Sequence, residues 1–329
     1  MDNYYNRYQD PDFYYKRQQQ KTEIKQLGFY TGLVLICQFV IQNLLSVILK
    51  FAGILEKYKT DGAYQNSVDI ILVILGLMVP FYFIGKKMKN VTGTPEPLPL
   101  EKPQDKISFV LAVISGVGFC MMASVVTSYF VIFLSFFGIE LSSPDIAMPK
   151  GAVGIITSII RVVVVAAVAE EIALRGHVMG NLRKYGDKFA IIISATVFAI
   201  IHGNLIQAPF ALIAGFAIGY FTVKTGSLWT GIAIHAANNF ISTAVSYAMD
   251  YIGEEKTNLI YVFILYGSIA FGIIAYRTFR KRTENIYLFR DSLMMSTSEK
   301  FAAFFLNPAM IISTVYMIYI TSLYVKFSF

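Results

Sequence analysis

From Gly151 to Ala169 the chain runs the length of a membrane span with one charged side chain, Arg161, then sets two carboxylates side by side, Glu170 and Glu171. A helix needs about 20 mostly apolar residues to cross the ~30 Å hydrocarbon core. An ionisable group there costs roughly 2.5 to 3.5 kcal/mol by insertion scales, so it is kept where it serves a purpose. Runs of the same kind recur along 329 residues that are 56% hydrophobic and 15% charged, with mean hydropathy +0.57. They are continuous rather than alternating, which sets a β-barrel aside. The expectation is an all-α polytopic membrane protein of about eight to nine transmembrane helices, its site inside the helical bundle core.

Residues 1–27 read as a polar cytoplasmic tail and 28–329 as the membrane domain, with the chemistry in a core at about 151–250. Spans are expected near Phe29–Leu49, Val68–Gly85 and Ile107–Gly138, then in the stretch ending near Gly186. Further spans follow near Phe189–His202, Ile206–Val223, Leu228–Met249 and Leu259–Tyr276, with a ninth candidate at Phe304–Val325 interrupted by Pro308. Pro80 marks a kink in the second span. The third is overlong, so it tilts, breaks near Gly116 and Gly118, or projects beyond the bilayer. Gly215 and Gly219 make a GxxxG pair suited to close packing within the chain. The Pro-rich stretch 92–106 reads as a connector, because Pro cannot continue a helix.

Basic residues fall on alternate loops: in the tail, at Lys86 to Lys89, Arg183 to Lys188, Lys224 and Arg277 to Arg282. By the positive-inside rule this is an integral multi-pass protein with a cytoplasmic N-terminus, in the plasma membrane if the chain is bacterial. The net charge of +7 is therefore a topology signal, with no basic stripe to imply a nucleic-acid partner. A polar stretch precedes a first apolar run of full span length, so no cleavable signal peptide is expected. Cys37 and Cys120 lie far apart in separate apolar runs, against a disulfide framework or a cysteine metal site.

Within the spans the costly groups are Glu170, Glu171, Arg175, His202, His235 and Asn239, with Asp69 and Asn238 lesser members. Residues four apart share a helix face. Glu171 is so related to Arg175 and reads as half of a structural ion pair, while Glu170 points about 100° away and is left free for chemistry. Phe198 with His202, and His235 with Asn239, repeat the four-residue spacing on two further helices. An imidazole beside an unpaired carboxylate can activate water, and a second His with an Asn can donate to an oxyanion. The blander readings place His177 at the membrane interface, Asp69 at a helix start and Asn238 in an interhelical hydrogen bond.

The segments AEEIALRGH, FAIIH and HAANN match EExxxR, FxxxH and HxxxN/D in order on successive apolar helices. In this the chain resembles the CPBP family of CAAX proteases and bacteriocin-processing enzymes, that of the type II CAAX prenyl endopeptidase. The resemblance covers about Val153 to Tyr247 and implies an intramembrane endopeptidase acting on a peptide or membrane-protein substrate, prenylated or not, in the lipid bilayer. It would make Glu170 and His202 the pair that activates water, His235 and Asn239 the oxyanion site, and Glu171, Arg175, Phe198 and Asn238 the supporting residues. No cofactor is expected, since HExxH is missing; a zinc or other divalent site would have to use Glu170, His202 and His235. Two other readings stay open: a catalytically silent member acting as an immunity or scaffold protein, and a proton-coupled carrier, though no internal repeat supports the latter.

Overall fold

Inside a bilayer every backbone N–H and C=O must find its partner within the chain, which leaves helices as the economical choice for continuous apolar runs. The computed structural model describes residues 11–93, 100–143, 148–289 and 294–328. It is all-α apart from one short strand pair. The helices are α1 (Pro11–Phe51), α2 (Leu55–Thr60), α3 (Gly62–Thr92), α4 (Lys106–Ser135), α5 (Gly151–Tyr185) and α6 (Asp187–Ile201), followed by α7 (Ala208–Thr225), α8 (Leu228–Ile252), α9 (Glu254–Arg282), α10 (Thr297–Phe305) and α11 (Pro308–Ser322). Strands β1 (Ile139–Leu141) and β2 (Val325–Phe327) pair antiparallel, Glu140 opposite Lys326.

Among the described residues six helices are long and apolar enough to cross a membrane, namely α1, α3, α4, α5, α7 and α9; the α10–α11 pair, bent by 80°, is a seventh candidate. The chain is a multi-pass membrane protein, and the expected count of eight to nine spans was only approximate. The difference lies in the helices that carry the polar groups. α6 has 15 residues, ~22 Å at 1.5 Å per residue, short of the hydrocarbon thickness. α8 is 25 residues long but interrupts its apolar character with His235, Asn238 and Asn239.

Helix ends report the local chemistry. Residues 11–27, expected as polar tail, are the first turns of α1 and already bury Ile24 and Leu27; residues 1–10 lie outside the described part. Pro80 does not break α3. A π-helical turn at Ile74–Met78 precedes it, the widened ladder accommodating a residue that lacks an N–H and crowds the carbonyl four residues back. Of the connector 92–106, residues 94–99 lie outside the described part, and Asp105 caps α4 through its side chain. Ser108 and Arg282 hydrogen bonds hold the Asp105 carboxyl below the usual carboxylate range. Pro308 occupies the first turn of α11, capped by Asn307.

α4 runs 30 residues without a break. Its glycines serve helix crossings instead: a Cβ on Gly118 would lie 2.7 Å from the Ser268 carbonyl oxygen and 2.8 Å from the Gly272 Cα, so the backbones of α4 and α9 touch. Gly215 likewise brings α7 against Ala195 of α6, as the GxxxG spacing implied. Gly118→Ala should therefore destabilise by about 1–3 kcal/mol through overpacking. Gly267→Ala, on the same face-to-lipid helix with no atom near its Cβ, should leave the melting temperature in detergent unchanged or slightly raised.

The two ends of the bundle differ. At one, Lys184 binds Glu23 and the Thr92 carbonyl, Ser227 donates to Glu101 O, Arg282 pairs with Asp105, and Lys300 donates to Tyr185 O. This is where the basic loops gather. At the other, Tyr247 donates to the Pro149 carbonyl and to Ser158 Oγ, and the β1–β2 pair closes. A large apolar core, including Leu174, Val178, Met179 and Leu182 of α5, fills the basic half.

Candidate functional site

α5 departs from α geometry twice, with π-helical turns at Ile159–Val165 and Ile172–Met179 on either side of the α-turn Ala166–Glu171. Such turns leave carbonyls and side chains in rotated positions and recur at functional sites. One freed position is used at once: Asn239 Nδ2 donates to the Val162 carbonyl at 2.9 Å, which docks α8 on the first π turn.

Glu171 and Arg175 are wholly buried, and Arg175 Nη1 donates to Glu171 Oε1 at 2.8 Å. The pair is not isolated. Arg175 Nη2 also donates to the Gly215 carbonyl at 3.3 Å, and its guanidinium lies 4.8 Å from the centre of the Phe198 ring. On its other side Glu171 Oε1 accepts from His235 Nδ1 at 3.0 Å. A carboxylate only accepts, so His235 carries its proton on Nδ1 and turns Nε2 towards Glu170, whose Oε2 is 3.8 Å away.

His202 follows the same logic. It is the C-cap residue of α6, and its Nδ1 lies 2.7 Å from the Phe198 carbonyl oxygen. A carbonyl cannot donate, so Nδ1 bears the proton and Nε2 the lone pair. The turn behind it is fixed: Gly203 takes a left-handed φ of 63°, and the buried Asn204 donates to the His202 carbonyl while accepting from Gln207 N. Phe198 stands between these groups, its ring centre 4.8 Å from that of His202 and 5.6 Å from that of His235.

Glu170, Phe198, His202, His235, Asn238 and Asn239 line one cavity of about 1020 Å³. Glu170 is partly exposed to it, 23% for the side chain against 0% for Glu171. All eight residues expected at the site thus gather around the cavity or directly behind its wall. Among the described residues no three His, Cys, Asp or Glu side chains are grouped to hold a metal ion. Both histidine Nδ1 atoms are committed to hydrogen bonds, which leaves both Nε2 atoms facing the cavity.

Several residues went unnoticed in the sequence. Gly231 lets α8 lie on the buried carboxylate, since a Cβ there would fall 2.7 Å from Glu171 Oε2 and 2.8 Å from Thr222 Oγ1. Its position four residues before His235, on the same face, was the available signal. Arg161 was noted only as a lone charge; it pairs with Asp69 at 3.1 Å and donates to Asn66 Oδ1 at 2.6 Å, higher in the same cavity. Asp69 thus sits within a helix as an ion-pair partner rather than at a helix start. Tyr58 of α2 donates to its other oxygen, and burial together with that bond pushes the phenol up to about 12. The ring of His177 stacks on Phe81, 5.8 Å between centres and 5° from parallel, against the bare backbone of Gly85.

Compared with curated proteins and with solved structures, the chain gives no significant match. A family comparison does: residues 152–241 match the family described as Type II CAAX prenyl endopeptidase Rce1-like. The matched stretch runs from the start of α5 into α8 and contains Glu170, Glu171, Arg175, Phe198, His202, His235, Asn238 and Asn239. α1 to α4 and α9 to α11 lie outside it. Over residues 152–241, therefore, the chain is similar to the Type II CAAX prenyl endopeptidase Rce1-like family.

Proposed function

We propose that the protein is an intramembrane endopeptidase that hydrolyses peptide bonds of membrane-associated or lipidated, CAAX-type substrates. The reading is carried by one observation: a partly exposed carboxylate, Glu170, shares a cavity of about 1020 Å³ with two histidines whose Nδ1 protons are pinned from behind. Glu170 takes a proton from water held between it and the His202 Nε2 lone pair, and the resulting hydroxide attacks the scissile carbonyl carbon. The oxyanion that forms meets Asn239, whose second amide N–H is not needed by Val162, and His235, which enters the step with both ring nitrogens protonated, keeps both protons throughout and donates from Nε2. Glu171 beneath His235 keeps its ring in place, as Arg175 keeps Glu171. Glu170 then returns its proton to the departing amine as the C–N bond breaks.

No metal takes part in this sequence. The N-terminus and the basic loops are assigned to the cytoplasmic side. Cleavage of a panel of peptide and prenylated substrates by purified protein in liposomes tests the reading. Activity should survive a chelator; loss on chelation with recovery on zinc would overturn the metal-free route. No cleavage across the panel would turn the reading towards a silent scaffold, and proton-coupled uptake towards a carrier.

A further inference from the structure

The direction in which the cavity opens carries a consequence for the substrate. α6 starts at the basic end, immediately after Lys184 and Tyr185, and α7 returns there to finish at Lys224 and Thr225. At 15 residues α6 reaches only ~22 Å, so the turn that joins it to α7 stops below the far surface of a ~30 Å core. His202 lies in that turn. Glu170, fifteen residues before Tyr185 on α5, comes out ~22 Å from the basic end by the same rise per residue.

The space left above the turn is the cavity. Each long helix lines it from the half remote from the basic loops: α1 from Gln38 onward, α4 from Cys120 onward, α5 up to Glu170, α8 from His235 onward. Its wall stays polar towards that far end, through Arg161 and Asp69 to Tyr58 in α2, which lies outside the membrane-spanning helices. Thr127, 7% exposed and with no hydrogen-bond partner for Oγ1, faces the same space. In the opposite direction the site is floored by the buried apolar side chains of Leu174, Val178, Met179 and Leu182.

Charge gives the two ends their sides. Lys86, Lys87 and Lys89, Arg183, Lys184 and Lys188, and the run Arg277 to Arg282 crowd the closed end. At the open end Lys50, Lys57, Lys59, Lys150, Lys256 and Lys326 are balanced by Glu56, Asp61, Glu140, Asp250, Glu254 and Glu255, so the described residues leave no basic excess there. A Lys and Arg excess marks the cytoplasmic face.

We propose that the cavity opens to the non-cytoplasmic face, so that its substrate is a peptide segment exposed on that face or dipping into the bilayer from it. The proposal rests on the protease reading only for the word substrate; the direction of opening rests on helix length, lining and charge. A CAAX-type tail would be cut only if it were presented from that side.

Three single-cysteine reporters test it in sealed cells expressing the full chain, on a Cys37→Ala, Cys120→Ala background with that parent as the blank. Ser246→Cys lies in the cavity wall, Lys256→Cys at the open end and Lys281→Cys at the basic end. A membrane-impermeant maleimide should label the first two to completion without permeabilisation, and Lys281→Cys only after it. The reverse pattern overturns the proposal, as does labelling of Ser246→Cys from the cytoplasmic side. A Ser246→Cys reporter that stays unlabelled even after permeabilisation overturns the open path, whatever the end reporters show. Adding Glu170→Gln should leave the pattern unchanged. An inactive protein with the expected labelling would thus sink the protease and keep the opening, and an active one with reversed labelling would do the opposite.

Discussion

Glu170→Gln is expected to lower kcat/KM for a cleaved peptide by about 10²- to 10⁴-fold, the range lost with a general acid–base group, while leaving the melting temperature nearly unchanged. The two halves of this result come from the same geometry. Glu170 opens to the cavity and has His235 Nε2 as an ionic neighbour only at 3.8 Å, beyond a hydrogen bond. Glutamine keeps its shape and removes only its capacity to take a proton. His202→Ala should fall in the same range, whereas Asn239→Ala should also loosen the docking of α8 on α5 through the lost Val162 contact. Equal losses in kcat/KM and stability for Glu170→Gln would remove Glu170 from the chemistry and return it to the packing.

Arg175→Ala should act on the fold first. Removing one partner of a fully buried ion pair leaves the other charge uncompensated and costs about 3–5 kcal/mol. Here the loss is compounded, because the guanidinium also bonds the Gly215 carbonyl and covers the Phe198 ring. Arg175→Lys should recover little, since an ammonium has no planar fork to span those partners. The double variant Glu171→Leu with Arg175→Met removes both charges and should regain most of the stability, as apolar replacements of buried pairs often do. It should remain inactive, because His235 then has no carboxylate on Nδ1. Thermal unfolding in detergent and peptide cleavage, measured on the same samples, separate the two effects. A double variant no more stable than Arg175→Ala would show that the pair contributes more than mutual compensation.

Most of this site was readable from residue spacing. Four-residue intervals put Glu171 beside Arg175, Phe198 beside His202 and His235 beside Asn239, because a single helix face fixes such neighbours wherever the helix goes. What spacing cannot carry is contact between helices. The Glu171–His235 hydrogen bond joins residues 64 apart and depends on Gly231 and Gly215 letting α8 and α7 come close. The fold class followed from apolar runs, yet the span count did not. α6 is short and α8 is interrupted by polar groups, so each runs between the two ends of the bundle without the length or hydropathy of an ordinary span. The β1–β2 pair had no signal at all, since three residues per strand are too few for an alternation to register. Asp69 and Arg161 were each visible alone, but their pairing joins α3 to α5 and only the packing reveals it.

The π turns of α5 bear on how such a chain tolerates insertions and deletions. Each is in effect one residue more than an α-helix needs, and an α-helix turns 100° per residue. Deleting one residue between 159 and 165 would let the segment relax to plain α geometry without altering any motif. A deletion in the plain α-turn Ala166–Glu171 has no spare residue to absorb it and would turn one side of the helix about 100° against the other, taking Arg161 off Asp69 or Glu170 off the cavity. The site is therefore specified by residue count as well as residue identity, and the count is elastic only at the π turns: a homologue shortened by one position there keeps its carboxylate aimed, whereas one shortened within Ala166–Glu171 would need a compensating change in α3 or α8.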